Sequence, residues 1–385
     1  MLYHLSEWLD GLGLNIPGLN LMNYLSFRAM LALVISLLIS FFAGGKIIRL
    51  LQRHQIGETI RDLGLEGQMQ KKGTPTMGGV IIIIALVGSA LMVCRLDNIY
   101  TILLLVTTLW CGAIGFTDDY IKVFKHRKEG MSEKGKLILQ FGLGLVVALT
   151  VCISPDIHTE KLVTTIPFVK AHEFDYSWLS PFKGQFGVYC SWGIYMVMII
   201  LVILACSNGA NLTDGMDGLS AGTSAIVGVA IGVMAWLGGD AIDARYLGIM
   251  YIPDSGEVAI YMSAFVGALV GFLWYNTFPA QVFMGDTGSL TIGGVIGVSA
   301  VLIRKELLLP LLCGIFLAES LSVIIQRGWF KYTKRKYGEG RRVFLMAPLH
   351  HHYQKKGIPE PRIVTRFWII GLLLAVSTLA LLKIR

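Results

Sequence analysis

Three short acidic segments hold the side chains in this sequence that are best suited to chemistry. They are FTDDY at 116–120, NLTDGMDG at 211–218 and FMGDTG at 283–288, and each borders an apolar stretch long enough to cross a bilayer. A carboxylate near the bilayer centre costs roughly 2.5–3.5 kcal/mol, so five of them would cost on the order of 12–18 kcal/mol. We therefore expect these acids to lie at a water-accessible surface and to be compensated, most simply by a divalent cation.

The first segment contains two adjacent acids, Asp118 and Asp119, followed by several basic residues. Neighbouring side chains on a helix point about 100° apart, so two adjacent carboxylates rarely chelate one ion together. One of them can bind a metal while the other acts as a base or a hydrogen-bond anchor. The alternative is a solvated helix terminus whose charge is balanced by nearby cations such as Lys122.

The second segment combines Asn211 with Asp214 and Asp217 between two apolar stretches. The two acids are three residues apart and would share a face if the segment were helical. Its Asn, Gly and Asp content is typical of a turn in which a ligand can approach the backbone. The sequence predicts contacts to a polar ligand or a metal here, with a capped turn between helices as the alternative.

The third segment places Asp286 between glycines and close to Phe283. The aromatic ring could stack on a planar base. The carboxylate could hold Mg²⁺ through one oxygen while water completes the shell, as hard cations prefer.

Two further polar runs accompany the acids. Lys71 and Lys72 precede a membrane entry, where cations either mark the cytoplasmic side or contact a phosphate. His350, His351 and His352 could form a zinc cluster, but three consecutive histidines are poorly spaced for one metal and no cysteine is near. Imidazoles beside phosphate oxygens fit this run better.

The elements that position these residues are membrane helices. Hydrophobic residues make up 54% of the chain and charged residues only 15%, which lies outside ordinary soluble usage. Apolar residues occupy every helical face, and the alternation of a β-barrel strand is missing. We predict an all-α polytopic membrane protein with about ten transmembrane helices. The expected spans are 30–45, 77–94, 98–117, 137–155, 184–213, 219–239, 258–285, 287–303, 307–325 and 367–382.

Glu319 is an acid inside one of these expected spans, 307–325. It could be protonated, pair with another span or line a cavity, and the sequence leaves these three roles open.

The distribution of basic residues predicts the orientation. The connections on one side hold 23 of the 33 Lys and Arg residues, so that side is expected to be cytoplasmic, with both termini periplasmic. All three acidic segments and the histidines fall on it, which predicts one cytoplasmic active-site cleft. The net charge of +8 is then explained by topology and by affinity for anionic bilayer lipids, and no nucleic-acid partner is expected. The connections counted are 46–73, 117–136, 207–218, 278–288 and 326–366.

We expect a single integral membrane domain over residues 1–385. Its longest periplasmic loop, 154–183, could form a short hairpin. The cytoplasmic loop 327–366 is basic in its first half and contains the histidines in its second, where Pro348, Pro359 and Pro361 argue against one long helix.

Carboxylates around a divalent cation at a membrane surface suit phosphoryl transfer, which depends mainly on positioning and charge neutralisation. A site at the boundary of water and lipid favours one aqueous and one lipid-borne substrate. The alternative from a different class is a Mg²⁺-linked membrane transporter, which predicts acids spread through the membrane on both sides. Their clustering on one side counts against it.

The segments together resemble the family of phospho-N-acetylmuramoyl-pentapeptide transferases, within the polyprenyl-phosphate N-acetylhexosamine-1-phosphate transferase superfamily. The triple histidine is similar to this branch, and a related transferase of the superfamily is the alternative. The residues that carry the resemblance are GTPTMGG at 73–79, FTDDY at 116–120, NLTDGMDG at 211–218, FMGDTGS at 283–289 and APLHHHY at 347–353.

The resemblance implies an enzyme of the bacterial cytoplasmic (inner) membrane that acts in peptidoglycan synthesis. The implied reaction transfers phospho-N-acetylmuramoyl-pentapeptide from UDP-N-acetylmuramoyl-pentapeptide to undecaprenyl phosphate, gives lipid I and UMP, and requires Mg²⁺. A homodimer is one assembly that the resemblance leaves open. The regions 154–183 and 331–342 depart from the usual family pattern by their length.

The resemblance also implies roles for individual residues. Asp286 is similar to the Mg²⁺ ligand, and Asp118 and Asp119 to the catalytic pair. In the favoured mechanism Asp118 takes the proton from undecaprenyl phosphate or orients it for direct attack, and a covalent intermediate on an aspartate is the rival. The implied substrate contacts are Lys71, Thr76, Asn211, Asp214, Asp217, Asn276, Phe283, His350, His351 and His352.

Overall fold

The computed structural model describes residues 1–13, 18–53, 73–125, 127, 129–154, 157, 162–167 and 173–383. Lys71 and Lys72 lie outside these ranges, so the predicted contact of Lys71 with substrate stays a prediction.

Fourteen α-helices and one two-stranded hairpin make up the regular structure of the described residues. The helices are α1 (Leu2–Gly11), α2 (Leu25–Arg53), α3 (Gly79–Val93), α4 (Ile99–Phe124), α5 (Glu133–Ile153), α6 (Gly184–Thr213), α7 (Leu219–Gly239), α8 (Ala241–Leu247), α9 (Gly256–Asn276), α10 (Gly285–Leu302), α11 (Leu309–Leu312), α12 (Gly314–Tyr337), α13 (Leu349–Lys355) and α14 (Glu360–Leu381). The strands are β1 (Val163–Thr165) and β2 (Glu173–Asp175).

Eight of the described helices are long and apolar enough to cross a membrane: α2, α4, α5, α6, α7, α9, α10 and α14. The bent pair of α11 and α12 can supply a ninth span, and α3 is a shorter apolar helix. These elements account for the stretches expected from the sequence, and the all-α polytopic fold is confirmed. Both α6 and α7 begin and end at the predicted residues.

Several helices continue beyond the charged residues at which the predicted spans stop. The expected span 98–117 belongs to α4, which runs on to Phe124 and places Asp118, Asp119 and Lys122 in its last turns. A charged residue ends an apolar stretch without interrupting the hydrogen bonds of a helix. The first acidic segment is therefore part of a rigid helix end.

Helix α10 lies at the centre of the bundle, where glycines let its neighbours approach closely. A Cβ atom on Gly293 would lie 2.2 Å from the carbonyl oxygen of Cys206 in α6. A Cβ atom on Gly115 of α4 would lie 2.2 Å from the carbonyl oxygen of Asp286 in α10. Small residues at such crossings bring backbones together in membrane proteins, and here they press the first turn of α10 against the end of α4.

The predicted span 307–325 corresponds to a bent pair of helices. The chain bends by 77° between the segments Glu306–Leu312 and Gly314–Tyr337. Cys313, between the two helices, has φ −93° and ψ 30°, outside helical geometry, and Gly314 follows it. Because of this bend, α12 brings Glu319 to α13, at the end of the bundle that holds the acidic segments.

The hairpin predicted in the loop 154–183 is confirmed. Val163 pairs with Asp175 and Thr165 with Glu173 in antiparallel register. The amide of Thr165 also donates to the carbonyl of Arg304, at 3.0 Å, which fastens the hairpin to the turn after α10. This is the opposite end of α10 from Asp286.

Candidate active site

Two of the sequence motifs run side by side at the start of α10. The amide of Phe283 donates to Pro75 O, and the amides of Gly78 and Gly79 donate to the carbonyls of Phe283 and Met284, all at 2.8 Å. These three backbone hydrogen bonds hold the start of α3 against the start of α10. It places Asp286 in the first turn of α10.

Asp118, Asp119 and Asp286 form a cluster of carboxylates at the meeting point of α4 and α10. One oxygen of each lies within 4.8 Å of one oxygen of both others. The first turn of α10 crosses the end of α4, so Asp286 lies close to both adjacent acids. The expectation that one acid of the pair binds a metal while the other acts as a base or an anchor stays a prediction. Within the described residues this cluster is the one group of at least three acidic, histidine or cysteine side chains placed to share a metal.

Asp119 is fully engaged with the start of α10. Its carboxylate accepts from the amide of Asp286 at 3.1 Å, from the amide of Thr287 at 2.9 Å and from the hydroxyl of Thr287 at 2.6 Å. A carboxylate at a helix N-terminus satisfies amides that have no partner within the helix. Asp119 therefore holds Asp286 in place.

Asp118 is 0% exposed, so the alternative of a solvated helix terminus is wrong. One of its oxygens accepts from the amide of Met131 at 2.7 Å. The other lies 2.7 Å from the ammonium of Lys122 and 2.9 Å from that of Lys136. Both ammonium groups also reach Asp286, at 3.1 Å and 2.6 Å.

Two lysines therefore bridge the carboxylates, and sequence reasoning missed one of them. Lys122 was considered only as a balancing charge, and Lys136 was not singled out at all. Lys136 lies in the first turn of α5, 18 residues after Asp118, and only the connection between α4 and α5 brings it back. The signal that could have found it is a lysine immediately before a predicted span, on the same side as the acids. With both lysines charged, three carboxylates face two cations and one negative charge remains.

Asn211 belongs to the same cluster. Its side-chain amide donates to Asp286 and to the hydroxyl of Ser289, both at 2.9 Å. Because α6 continues to Thr213, Asn211 lies within the helix and faces α10.

Asp217 and Asn276 join two loops behind the cluster. The amide of Ala280 donates to Asp217 at 3.0 Å, and the amide of Gly218 donates to Asn276 at 3.0 Å. The side-chain amide of Asn276 donates to the carbonyl of Val282 at 2.9 Å, and both side chains are almost fully buried. The contact of Asp217 with a backbone amide agrees with the alternative given for its segment, a capped turn between helices. The predicted contacts of Asp217 and Asn276 with substrate stay predictions.

The described histidines do not converge on one point as zinc ligands would. His350 is fully buried, and its Nδ1 atom lies 3.2 Å from Glu319. Its Nε2 atom lies against Gly215, where a Cβ atom would come within 2.2 Å of it. His351 contacts Gln354 at 3.2 Å.

His352 contacts the chain that precedes α13. The amide of Leu345 donates to its Nδ1 atom at 3.1 Å, which requires an unprotonated nitrogen. Partial burial first, and the charge of Lys356 second, lower the pKa of His352, which favours the neutral ring.

Glu319 is fully buried and pairs with His350 of α13, which lies in the connection 327–366 and not in another span. Its carboxylate accepts from the backbone amide of His350, with oxygens at 3.2 and 3.3 Å. The Nδ1 atom of the His350 ring also lies 3.2 Å from an oxygen of this carboxylate. Glu319 therefore fixes the start of α13 and the orientation of the imidazole next to Gly215.

Replacing Glu319 by glutamine is expected to loosen this contact. A hydrogen bond to a charged group contributes about 1.5–3 kcal/mol, so the amide of His350 should exchange about 10–100-fold faster with deuterium. Hydrogen exchange read by mass spectrometry over residues 347–355 checks this. Glu339→Gln, which removes an exposed acid from the same connection, is the matched control. An unchanged exchange rate in Glu319→Gln would contradict the pairing.

The other predicted substrate contacts surround the cluster. Thr76 is buried, with its hydroxyl oxygen 3.1 Å from where a Cβ atom on Gly285 would lie. Phe283 and Asp214 are half-buried. The side chain of Asp286 is 15% exposed and Lys136 20%, against 0% for Asp118, so the cluster opens toward solvent on the side of Asp286.

Comparison with known proteins gives two family matches. The model of glycosyl transferase family 4 matches residues 101–304. Signature 1 of phospho-N-acetylmuramoyl-pentapeptide-transferase matches residues 71–83.

Full-length relatives give the same result. The proteins named phospho-N-acetylmuramoyl-pentapeptide-transferase in Parabacteroides distasonis and Flavobacterium psychrophilum are each 53% identical to this chain. The protein of the same name in Flavobacterium johnsoniae is 52% identical. In all three comparisons the alignment covers 100% of both chains.

Proposed function

The chain belongs to the family of phospho-N-acetylmuramoyl-pentapeptide transferases, and from this premise we propose that it transfers phospho-N-acetylmuramoyl-pentapeptide from its UDP carrier to undecaprenyl phosphate. The products are lipid I and UMP, and the step serves peptidoglycan synthesis. The membership favours the enzyme over the transporter and over other transferases of the superfamily.

The observation that carries this proposal is the cluster of Asp118, Asp119 and Asp286 bridged by Lys122 and Lys136. Fixed opposite charges beside a partly open surface suit two substrates that both contain phosphate. Phosphoryl transfer depends on aligning such groups and neutralising their charge, and it needs little covalent chemistry from the protein.

The donor set fits Mg²⁺. It consists of three carboxylates within 4.8 Å of one another, and hard cations prefer oxygen ligands. We propose Asp286 as the metal ligand, because its carboxylate is the most exposed of the three. When bound, Mg²⁺ would neutralise the phosphate oxygens and the departing UMP.

We assign positioning and proton transfer to different residues of the carboxylate cluster. Asp119, with both oxygens engaged by the start of α10, positions Asp286. Asp118 has one oxygen directed at both lysines and at Asp286, so we assign it the task of taking the proton from undecaprenyl phosphate or orienting it. An oxygen of that phosphate attacks the sugar-linked phosphorus. The bond from this phosphorus to the bridging oxygen breaks, and UMP leaves with the bond electrons.

The substrate contacts lie around this centre. Phe283 is half-buried beside Asp286 and is placed to stack on uracil. Asp214, His350, His351 and Thr76 are the proposed contacts to the nucleotide sugar and its phosphates, and Lys71 and His352 also stay proposed substrate contacts. We propose that Asn211 orients Asp286, the proposed metal ligand, through its hydrogen bond to that carboxylate.

We propose that the chain lies in the bacterial inner membrane with this cluster on the cytoplasmic face. The predominance of lysine and arginine in the connections on that side supports the orientation. A UDP-linked substrate from the cytoplasm and a lipid phosphate from the bilayer could then meet at one surface.

Release of UMP tests the function and the order of events together. Purified protein given UDP-N-acetylmuramoyl-pentapeptide, undecaprenyl phosphate and Mg²⁺ is expected to release UMP, and removal of Mg²⁺ with a chelator should stop it. Without undecaprenyl phosphate, direct attack predicts no release. UMP release without the lipid would favour the covalent intermediate, and a folded sample that releases none under any condition would refute the enzyme.

A further inference from the structure

The basic segment before the histidines forms an arm, which we define as residues 327–342 and call the basic arm. It consists of the last turns of α12 and the segment that follows. From Leu321 to Tyr337 the buried side chains are those of Ser322 and Thr333. The second half of α12 therefore projects from the rest of the described bundle.

One face of this part of α12 is covered by the returning chain. The side chain of Gln326 accepts from the amides of Val343 and Phe344 at 3.0 and 2.9 Å. The amide of Arg341 donates to the hydroxyl of Thr333 at 2.8 Å. These contacts tie the arm together, so its exposed faces are presented by a defined structure.

A second face is an apolar stripe that continues from the bundle into the arm. Successive members are four, four and three residues apart, which places them on one side of a helix. All are more than 40% exposed, and the two aromatic rings lie 5.8 Å apart. The stripe consists of Leu321, Ile325, Trp329 and Tyr332.

A basic stripe lies beside the apolar one, formed by Arg327, Lys331, Lys334 and Arg335, all exposed. Over residues 327–342 there are seven lysines and arginines and one acid, Glu339. Such an excess of like charge repels itself and is stabilised by an anionic partner. The adjoining apolar stripe favours a lipid surface over a soluble anion.

Helices with an apolar face rich in aromatic residues and a basic flank lie in the interface of a membrane, with lysine and arginine reaching toward the headgroups. The 77° bend suits this orientation, since it turns α12 away from the direction of the preceding segment. Its 24 residues span about 36 Å.

We propose that the basic arm lies on the surface of its own bilayer and binds anionic phospholipids there. The apolar stripe enters the boundary between headgroups and acyl chains, and the basic stripe contacts the phosphates. This surface is separate from the carboxylate cluster and from the transfer reaction.

Quenching of Trp329 by brominated lipid tests the proposal. The protein is placed in zwitterionic nanodiscs that contain an equal fraction of brominated lipid, with either an anionic phosphatidylglycerol or a zwitterionic phosphatidylcholine headgroup. The contribution of Trp329 is the difference between the parent protein and Trp329→Phe. It is expected to be quenched at least about twofold more by the anionic lipid and to lose this preference in high salt.

A charge-matched pair of variants completes the test. Each basic residue near an anionic surface contributes about fivefold to affinity, so Lys331→Gln with Lys334→Gln and Arg335→Gln should lower the affinity of the arm for anionic lipid about 100-fold and remove the difference in quenching between the two lipids. Lys46→Gln with Arg49→Gln and Arg53→Gln removes three exposed cations from α2 and should keep it. The anionic lipid retained by each purified protein should follow the same order. Equal quenching by both lipids, or no quenching of Trp329, would overturn the proposal.

Discussion

Asp286→Asn is expected to abolish transfer while the protein stays folded in the membrane. Asparagine keeps the size of the side chain and removes the charge that faces Lys122 and Lys136 at 3.1 and 2.6 Å. Both lysines retain Asp118 as a partner, at 2.7 and 2.9 Å, so neither is left without an opposite charge. The amide of residue 286, which donates to Asp119, is unchanged.

The expected loss in UMP release is at least about 10³-fold, because the variant removes both the proposed metal ligand and its fixed negative charge. Binding of Mn²⁺ as a spectroscopic probe for Mg²⁺ should weaken in parallel, which gives a readout independent of turnover. Asp243→Asn, in the first turn of α8, is the matched control and should behave as the parent does. A near-normal rate in Asp286→Asn would remove Asp286 from the metal role.

Lys136→Met is expected to lower kcat/KM by about 10²–10³-fold, the loss typical of removing one charge-stabilising donor. Methionine keeps most of the length of the side chain and removes the ammonium that joins Asp118 to Asp286. Three carboxylates then face Lys122 alone, so the cluster becomes more negative. Its affinity for Mn²⁺ should therefore rise as turnover falls.

This opposite movement of metal affinity and rate distinguishes a catalytic lysine from a structural one, whose loss would weaken both. Lys134→Met is the matched control, since Lys134 is exposed and lies two residues earlier on α5. A Lys136→Met protein with parent turnover would contradict the bridging role, as would one that binds Mn²⁺ less tightly.

The membrane fold could be predicted from the sequence because apolar length is a direct consequence of bilayer thickness. The spans 184–213 and 219–239 are correct to the residue, since two Asp and two Gly residues lie between them and no charge falls within either. The bend within the span 307–325 could not be predicted, because it depends on the local backbone at Cys313, which hydropathy does not encode.

The candidate site was predictable in its acids and less so in its partners. A carboxylate next to a membrane helix costs free energy unless it is compensated, so such residues can be recognised as functional candidates from the sequence. Lysines are common on the expected cytoplasmic side, so no pattern distinguishes Lys136 from the others. Its contacts follow only from the way the chain returns from α4 to α5. Asn211 was grouped with the nucleotide-sugar contacts, whereas the length of α6 brings it to Asp286.

The spacing of the cluster along the chain has a consequence for biogenesis. Lys122 and Lys136 are synthesised 4 and 18 residues after Asp118, whereas Asp286 emerges about 150 residues later than Lys136. The carboxylate of Asp118 can therefore pair with Lys122 and Lys136 soon after it leaves the ribosome. The nascent chain can insert α4 and α5 as an ion-paired helical hairpin and remain inert until α10 arrives. A growing chain would then acquire Asp286, the proposed metal ligand, only after most of the bundle had been inserted into the bilayer.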